Sequence, residues 1–278
     1  MTTESIRTPP GGLIDASARS YAIRLGGRFR THSIMIVSLA VTLLVWELAA
    51  LLLGLPLLFP AASTTVVALA GLAADGTLAS EVSATLWRLA QGFAIGVAIG
   101  APLGLLMGLL PPVRWFFEPY VNFFRFVTPI ALLSIIITWF GSGEPSIIAL
   151  IVYITTFIVL LNTMSGTMRL PVVTLRAARS LGARRLRILT SVVAPATLPA
   201  IIVGMRIALG YAFMTVIAAE IIASNIGLGH MIWTARLYLE TPTLFAGLLT
   251  LALLGITIDR LFVAATRRTA GRFLHGVQ

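Results

Sequence analysis

The sequence contains no cysteine and no lysine. Without cysteine there is no disulfide framework, no thiol nucleophile and no cysteine metal site. The missing lysine excludes more. All 20 basic residues are Arg, and a phosphate-binding P-loop needs its Lys. The chain therefore does not hydrolyse nucleotide by that route, and energy for any work it does comes from a partner or an ion gradient. Histidine occurs at His32, His230 and His275, far apart. No HExxH or GxSxG run is present, and no two carboxylates have a spacing suited to acid–base work. No catalytic or metal-ligating residue is nominated, and an intramembrane enzyme is disfavoured. Charge of either sign is scarce: 11% of residues against about 25% in soluble chains.

What is abundant is apolar side chain. Of 278 residues, 58% are hydrophobic and the mean hydropathy is +0.98, which reads as an all-α polytopic membrane protein. The formal charge of +10 is not the footprint of a nucleic-acid partner. The Arg residues gather at the ends of apolar spans, where the positive-inside rule places them. Apolar stretches long enough to span run over residues 33–54, 86–110, 116–140 (broken at Pro129), 146–166, 197–219 and 243–264. Residues 1–32, with five Arg, and 271–278 read as cytoplasmic tails, the first without the cleavage site of a secretory signal. Six spans put both termini, Arg114 and the basic 169–187 stretch inside, and Arg88 and Arg236 near the outer side. A body over 55–270 follows the first span.

Several residues within the spans stand out. Gly92, Gly96, Gly100, Gly104 and Gly108 recur every four residues, a flat stripe that lets another helix backbone approach closely. The partner is another helix of the same subunit or, alternatively, of a second copy. Pro102 in that span predicts a bend. Glu47 is an intramembrane acid and so a candidate by default. Arg206 sits about two turns into its span, placed either to snorkel to the cytoplasmic face or to meet an anion. Glu220, Ser224 and Asn225 form polar, glycine-flanked backbone tolerated at depth only beside a cavity or inside protein. They are pathway or outer-gate candidates, against the plainer reading that they satisfy a helix end. Glu144 is a candidate for an external vestibule, and Asp259 a partner for Arg260.

The most distinctive stretch is 174–199. Arg176, Arg179, Arg184, Arg185 and Arg187 fall within a dozen residues, too basic for hydrocarbon. Yet its Ala, Leu and Arg are good helix formers, and Leu175, Ala178 and Leu181 have the spacing of a packed helical face. Gly182 then interrupts the run. A helix–Gly–helix element with small residues Ala177, Ala178 and Gly182 and a basic flank is a docking element for a soluble partner, or more simply a loop that sets topology.

That stretch resembles the EAA loop of ABC-importer permeases. Arg176-Ala177-Ala178, Gly182 and then Val192-Val193-Ala194-Pro195 keep its spacing, with Arg176 where Glu is usual, and Pro199, Gly204 and Arg206 continue it. Phe59-Pro60, Arg125 to Pro129, Phe140-Gly141-Ser142-Gly143-Glu144, Ala219-Glu220 to Gly227-Leu228-Gly229 and Ile232 to Arg236 resemble further segments of the sulfonate, taurine and nitrate branch. The resemblance implies a type I ABC importer permease fold with a cytoplasmic coupling helix in a loop over 170–196. It implies coupling residues Arg176, Ala177, Ala178, Arg179, Gly182 and Pro195. It implies a homodimer in a bacterial inner membrane. Its partners would be a separate ATPase dimer that binds ATP and Mg, and an extracytoplasmic solute-binding protein; this chain would need no cofactor. The solute would be a small organic or inorganic anion such as a sulfonate, taurine or nitrate. The alternative is an ion-gradient-driven secondary transporter, which would call for paired intramembrane acids or inverted repeats; apart from Glu47 the spans offer little of the kind.

Overall fold

The computed structural model describes residues 37–38 and 40–270. The tails expected over 1–32 and 271–278, and the beginning of the first span, lie outside the described residues. The described secondary structure is helical throughout. The chain divides into two compact units, residues 1–63 and 64–278.

In the first unit, α1 (Ala40–Leu53) ends at Gly54, whose φ of 61° suits a residue without Cβ. The chain then folds back on α1. Trp46 Nε1 donates to the Pro60 carbonyl at 3.0 Å, and the Trp46 and Phe59 rings lie 6.4 Å apart. Glu47 accepts from the Ser63 N–H at 3.0 Å and the Ser63 hydroxyl at 2.8 Å. These two donors make the acid a local tie between α1 and the segment that follows it.

The remaining helices are α2 (Ala62–Ala74), α3 (Thr77–Leu109), α4 (Pro111–Phe124), α5 (Pro129–Phe140), α6 (Glu144–Met168), α7 (Val172–Ser180), α8 (Arg185–Ile188), α9 (Ala194–Ala223), α10 (Leu228–Leu237) and α11 (Thr241–Ala270). A π-helical segment, Leu189–Val193, joins α8 to α9. It falls just before Pro195, which has no N–H to offer the Ser191 carbonyl in an α-helical register.

The second unit is built on α6, packed between α3 and α9. Its core holds Leu89 of α3, Leu133 and Ile136 of α5, Ile147, Leu150 and Ile151 of α6, and Leu209, Ala212, Val216 and Ala219 of α9. The glycine stripe of α3 faces α6. A Cβ built on Gly92 or Gly96 would lie 2.5 Å from the Cβ of Ile151 or Thr155, and one on Gly100 or Gly104 would lie 2.6 Å from the carbonyl oxygen of Thr156 or Leu160. One on Gly108 would lie 2.5 Å from Thr167 Cβ. The stripe is therefore a seam within one subunit. In a bilayer, where lipid is as apolar as a leucine face, such close approach is what gives helices their attraction. α3 continues without a break through Pro102.

Four helices of the described residues are long and apolar enough to cross a membrane: α3, α6, α9 with its π segment, and α11. The stretch expected as a third span broken at Pro129, 116–140, is two helices, α4 and α5, bent by 100°. Pro129 opens α5 with Thr128 extended at ψ 137°, because proline pushes its predecessor out of the helical region.

Candidate functional site

Among the described residues, polar chemistry marks three places in the second unit. The first is the basic element. α7 ends at Ser180, and Gly182 turns the chain at φ 77°, the left-handed region that glycine enters freely. α8 then leads through the π segment into α9, with Pro195 half-buried in its first turn. Arg176, Ala177, Arg179, Gly182, Arg184 and Arg187 are exposed and Ala178 is half-buried. Of the face expected to be packed, Ala178 is half-buried and Leu181 is exposed. Leu181 is 87% exposed and Val173 74%, and the Leu175 side chain lies outside the described ones. Val173, Ala177 and Leu181, four residues apart, form an open apolar stripe beside Arg176.

The second place lies at the other end of α9, about 45 Å away along a 30-residue helix. Arg88 of α3 is buried there. Its Nε and Nη2 donate to Glu144 Oε1 at 2.8 and 2.6 Å, and its Nη1 to Glu220 Oε1 at 2.8 Å and to the Ile226 carbonyl at 2.6 Å. Glu220 is fully buried. It also accepts from the Thr85 hydroxyl at 2.9 Å and from the Gly229 N–H at 2.9 Å. The Leu228 N–H donates to Thr85 Oγ1 at 3.0 Å, and the Gly227 N–H to Glu81. The first N–H groups of α10, which have no partner inside the helix, are thus met by two carboxylates and a hydroxyl, with negative charge at the positive end of the helix dipole. Gly227 has φ 125°, and a Cβ there would run into the Glu220 carboxylate.

In this structure Glu220, named above as a pathway candidate, has the partners of the plainer reading, at a helix end. A buried carboxylate persists only when partnered, and this one holds α3, α9 and α10 together. Ser224 and Asn225 sit beside the tie. The Ser224 hydroxyl donates to the Ile226 carbonyl at 2.5 Å. With Arg88, Ser142 and Glu144 they line a cavity of about 380 Å³. Sequence reasoning left Arg88 without a partner. The signal was present: an Arg inside an apolar helix needs a counter-charge, and Glu144 and Glu220 are the acids nearest the corresponding ends of α6 and α9.

The third place is Arg206. It does not snorkel unpaired, and Asp259 does not pair with Arg260. Arg206 Nε and Nη2 each donate to one Asp259 oxygen at 2.8 Å, joining α9 to α11, with 55% and 47% of the two side chains exposed.

Comparison with known proteins places this architecture. The family model described as binding-protein-dependent transport system inner membrane component matches residues 100–271. The taurine transport system permease protein TauC of Escherichia coli is 36% identical over 246 residues, covering 86% of this chain and 89% of that protein. A probable ABC transporter permease protein of Brucella melitensis is 36% identical over 194 residues, covering 70% and 79%. The bicarbonate transport system permease protein CmpB of Synechococcus elongatus is 32% identical over 195 residues, covering 70% of each. These relatives are transport permeases, not enzymes. Among solved structures, a chain of the MetNI methionine ABC transporter in an inward-facing conformation superposes with a TM-score of 0.60 at 20% identity, covering 66% of this chain and 92% of that one. A chain of an amino acid ABC transporter superposes at 0.57 and 17% identity, covering 73% and 97%. The fold is that of type I importer permeases. The chain belongs to the binding-protein-dependent transport system inner membrane component family and is a permease subunit of an ABC importer.

Proposed function

We propose that two copies of this chain form the translocation pathway for a small anion, of the organic sulfonate, taurine or inorganic nitrate kind, and that a separate ATPase docked on residues 170–196 drives it. Six spans, with α1 and the α4–α5 pair each counted as one, put both termini and the basic element in the cytoplasm. An extracytoplasmic binding protein delivers the solute, and ATP and Mg bind to the ATPase. Closure of the ATPase dimer moves the two coupling elements together and turns the permease from inward-facing to outward-facing, a rigid-body alternation.

The observation that supports this reading is the open stripe of Val173, Ala177 and Leu181 on a helix flanked by Arg176 and Arg179. A water-facing loop that only set topology would have no need of exposed apolar side chains in register. The names of the taurine and bicarbonate relatives support the anionic solute.

The test is purification of the tagged chain, co-expressed with a candidate P-loop ATPase, in mild detergent. A stoichiometric complex is expected. Ala178→Trp and Gly182→Trp should each abolish it while the chain still inserts in the membrane. A chain that purifies alone and moves solute under an ion gradient would refute the ATPase-driven reading, as would tryptophan variants that still bind the ATPase normally.

A further inference from the structure

Among the described residues, ion pairs join helices of the second unit at two places, Arg88 and Arg206, and the two places are treated oppositely. Arg88–Glu220 is sealed, with 2% and 0% of the two side chains exposed. Arg206–Asp259 is open, with 55% and 47% exposed. Yet the open pair lies within apolar sequence. Arg206 is the one charged residue between Arg187 and Glu220, and no charge occurs between Glu240 and Asp259. At about 1.5 Å per residue, Arg206 lies about 18 Å along α9 from Ala194, and Asp259 about 12 Å along α11 from Arg267. A short Asp side chain at that depth cannot reach the headgroups, and a charge pair facing hydrocarbon is costly. The exposed side of the pair therefore faces water or protein. It forms one wall of an open cavity of about 620 Å³, lined also by Val203, Ile207, Gly210, Tyr211 and Met214.

The guanidinium has donors to spare. It carries five N–H groups, and the Nε and Nη2 donations to Asp259 leave the Nη1 edge without a partner among the described residues. Asp259 fixes the plane of the fork and offsets its charge. A lone Arg would hold an anion tightly. A compensated one holds it weakly, which a site passed through in transit requires, since entering must be favourable and leaving must be possible.

We propose that the free edge of Arg206 is a transit site in the translocation pathway for the oxyanion end of the solute, with Asp259 as its positioning counter-charge. The proposal rests on the reading of the pathway as one for anions, and adds where along α9 and by which donors the anion is met.

The cysteine-free sequence provides the test without knowledge of the solute. Val203→Cys and Met214→Cys are introduced singly into the full chain. Each thiol is reacted with an anionic reagent, sulfonatoethyl methanethiosulfonate, and with a cationic one, trimethylammonioethyl methanethiosulfonate. The ratio of the two rates is normalised to their ratio with 2-mercaptoethanol in the same buffer. The normalised ratio should favour the anionic reagent by about tenfold at both positions, the scale on which a charged cleft selects its ligand. It should fall below parity on adding Arg206→Gln, which leaves Asp259 uncompensated, and rise on adding Asp259→Asn. Arg206→Gln with Asp259→Asn, which retains a neutral hydrogen-bonded pair, should give parity and serves if a single variant does not fold. A ratio unchanged by Arg206→Gln would overturn the proposal. So would thiols that fail to react at both positions, which would show a face covered by lipid or by a second copy. Failure of the chain to bind an ATPase would refute the proposed coupling and leave these rates as they are.

Discussion

The Arg88 tie lends itself to a quantitative prediction, because its three members differ in burial and in what each leaves behind when removed. Arg88→Met strands Glu220, fully buried, with no other cation paired to it among the described residues. Breaking a buried pair from one side costs about 3–5 kcal/mol, and this variant belongs at the upper end. Glu220→Gln removes the buried charge but leaves Arg88 with Glu144 at 2.6 Å, and the new amide turns a donor toward either the Gly229 N–H or the Arg88 guanidinium. A cost of about 3 kcal/mol follows. Glu144→Gln removes a carboxylate that is 51% exposed, so solvent screens it and the cost is about 1 kcal/mol. At about 2–4 °C per kcal/mol for a chain of this size, the apparent melting temperatures in detergent should fall by about 10 °C or more, about 9 °C and about 3 °C, in that order. The combination Arg88→Met with Glu220→Gln should cost less than the two singles together, since residues in one network are not additive. Tryptophan fluorescence on heating reads all four. Equal losses from Glu144→Gln and Glu220→Gln, or strict additivity in the combination, would refute the account of a sealed tie.

The glycine seam makes a sharper contrast. Gly100→Ala and Gly104→Ala drive a Cβ against α6 carbonyl oxygens that cannot rotate away, and each should lower stability by about 1–3 kcal/mol. Gly71→Ala, mid-helix with nothing within 4 Å, should be neutral or raise stability by about 0.5–1 kcal/mol. Gly227→Ala combines a φ of 125° with a clash on the Glu220 carboxylate, and should exceed both seam variants in loss of folded yield, measured by gel filtration of the detergent-solubilised chain.

The sequence by itself determined that this chain is helical and membrane-embedded, because charge is scarce and the apolar stretches have the length of a spanning helix, about 20 residues, rather than that of a barrel strand. It determined the break at Gly182 and the breadth of the glycine stripe, since both are local consequences of missing side chains. It showed the family resemblance through spacings that survive substitution. The tertiary structure alone decided where charges meet. Arg88 meets Glu144 and Glu220 across 56 and 132 residues of chain, and Arg206 meets Asp259 across 53. No periodicity encodes such pairings, because they depend on how α3, α6, α9 and α11 are laid against one another. The same holds for Glu220, whose ties to Thr85, Arg88 and Gly229 are invisible in the sequence. A carboxylate reads alike whether water or three helices surround it, and only packing distinguishes the two.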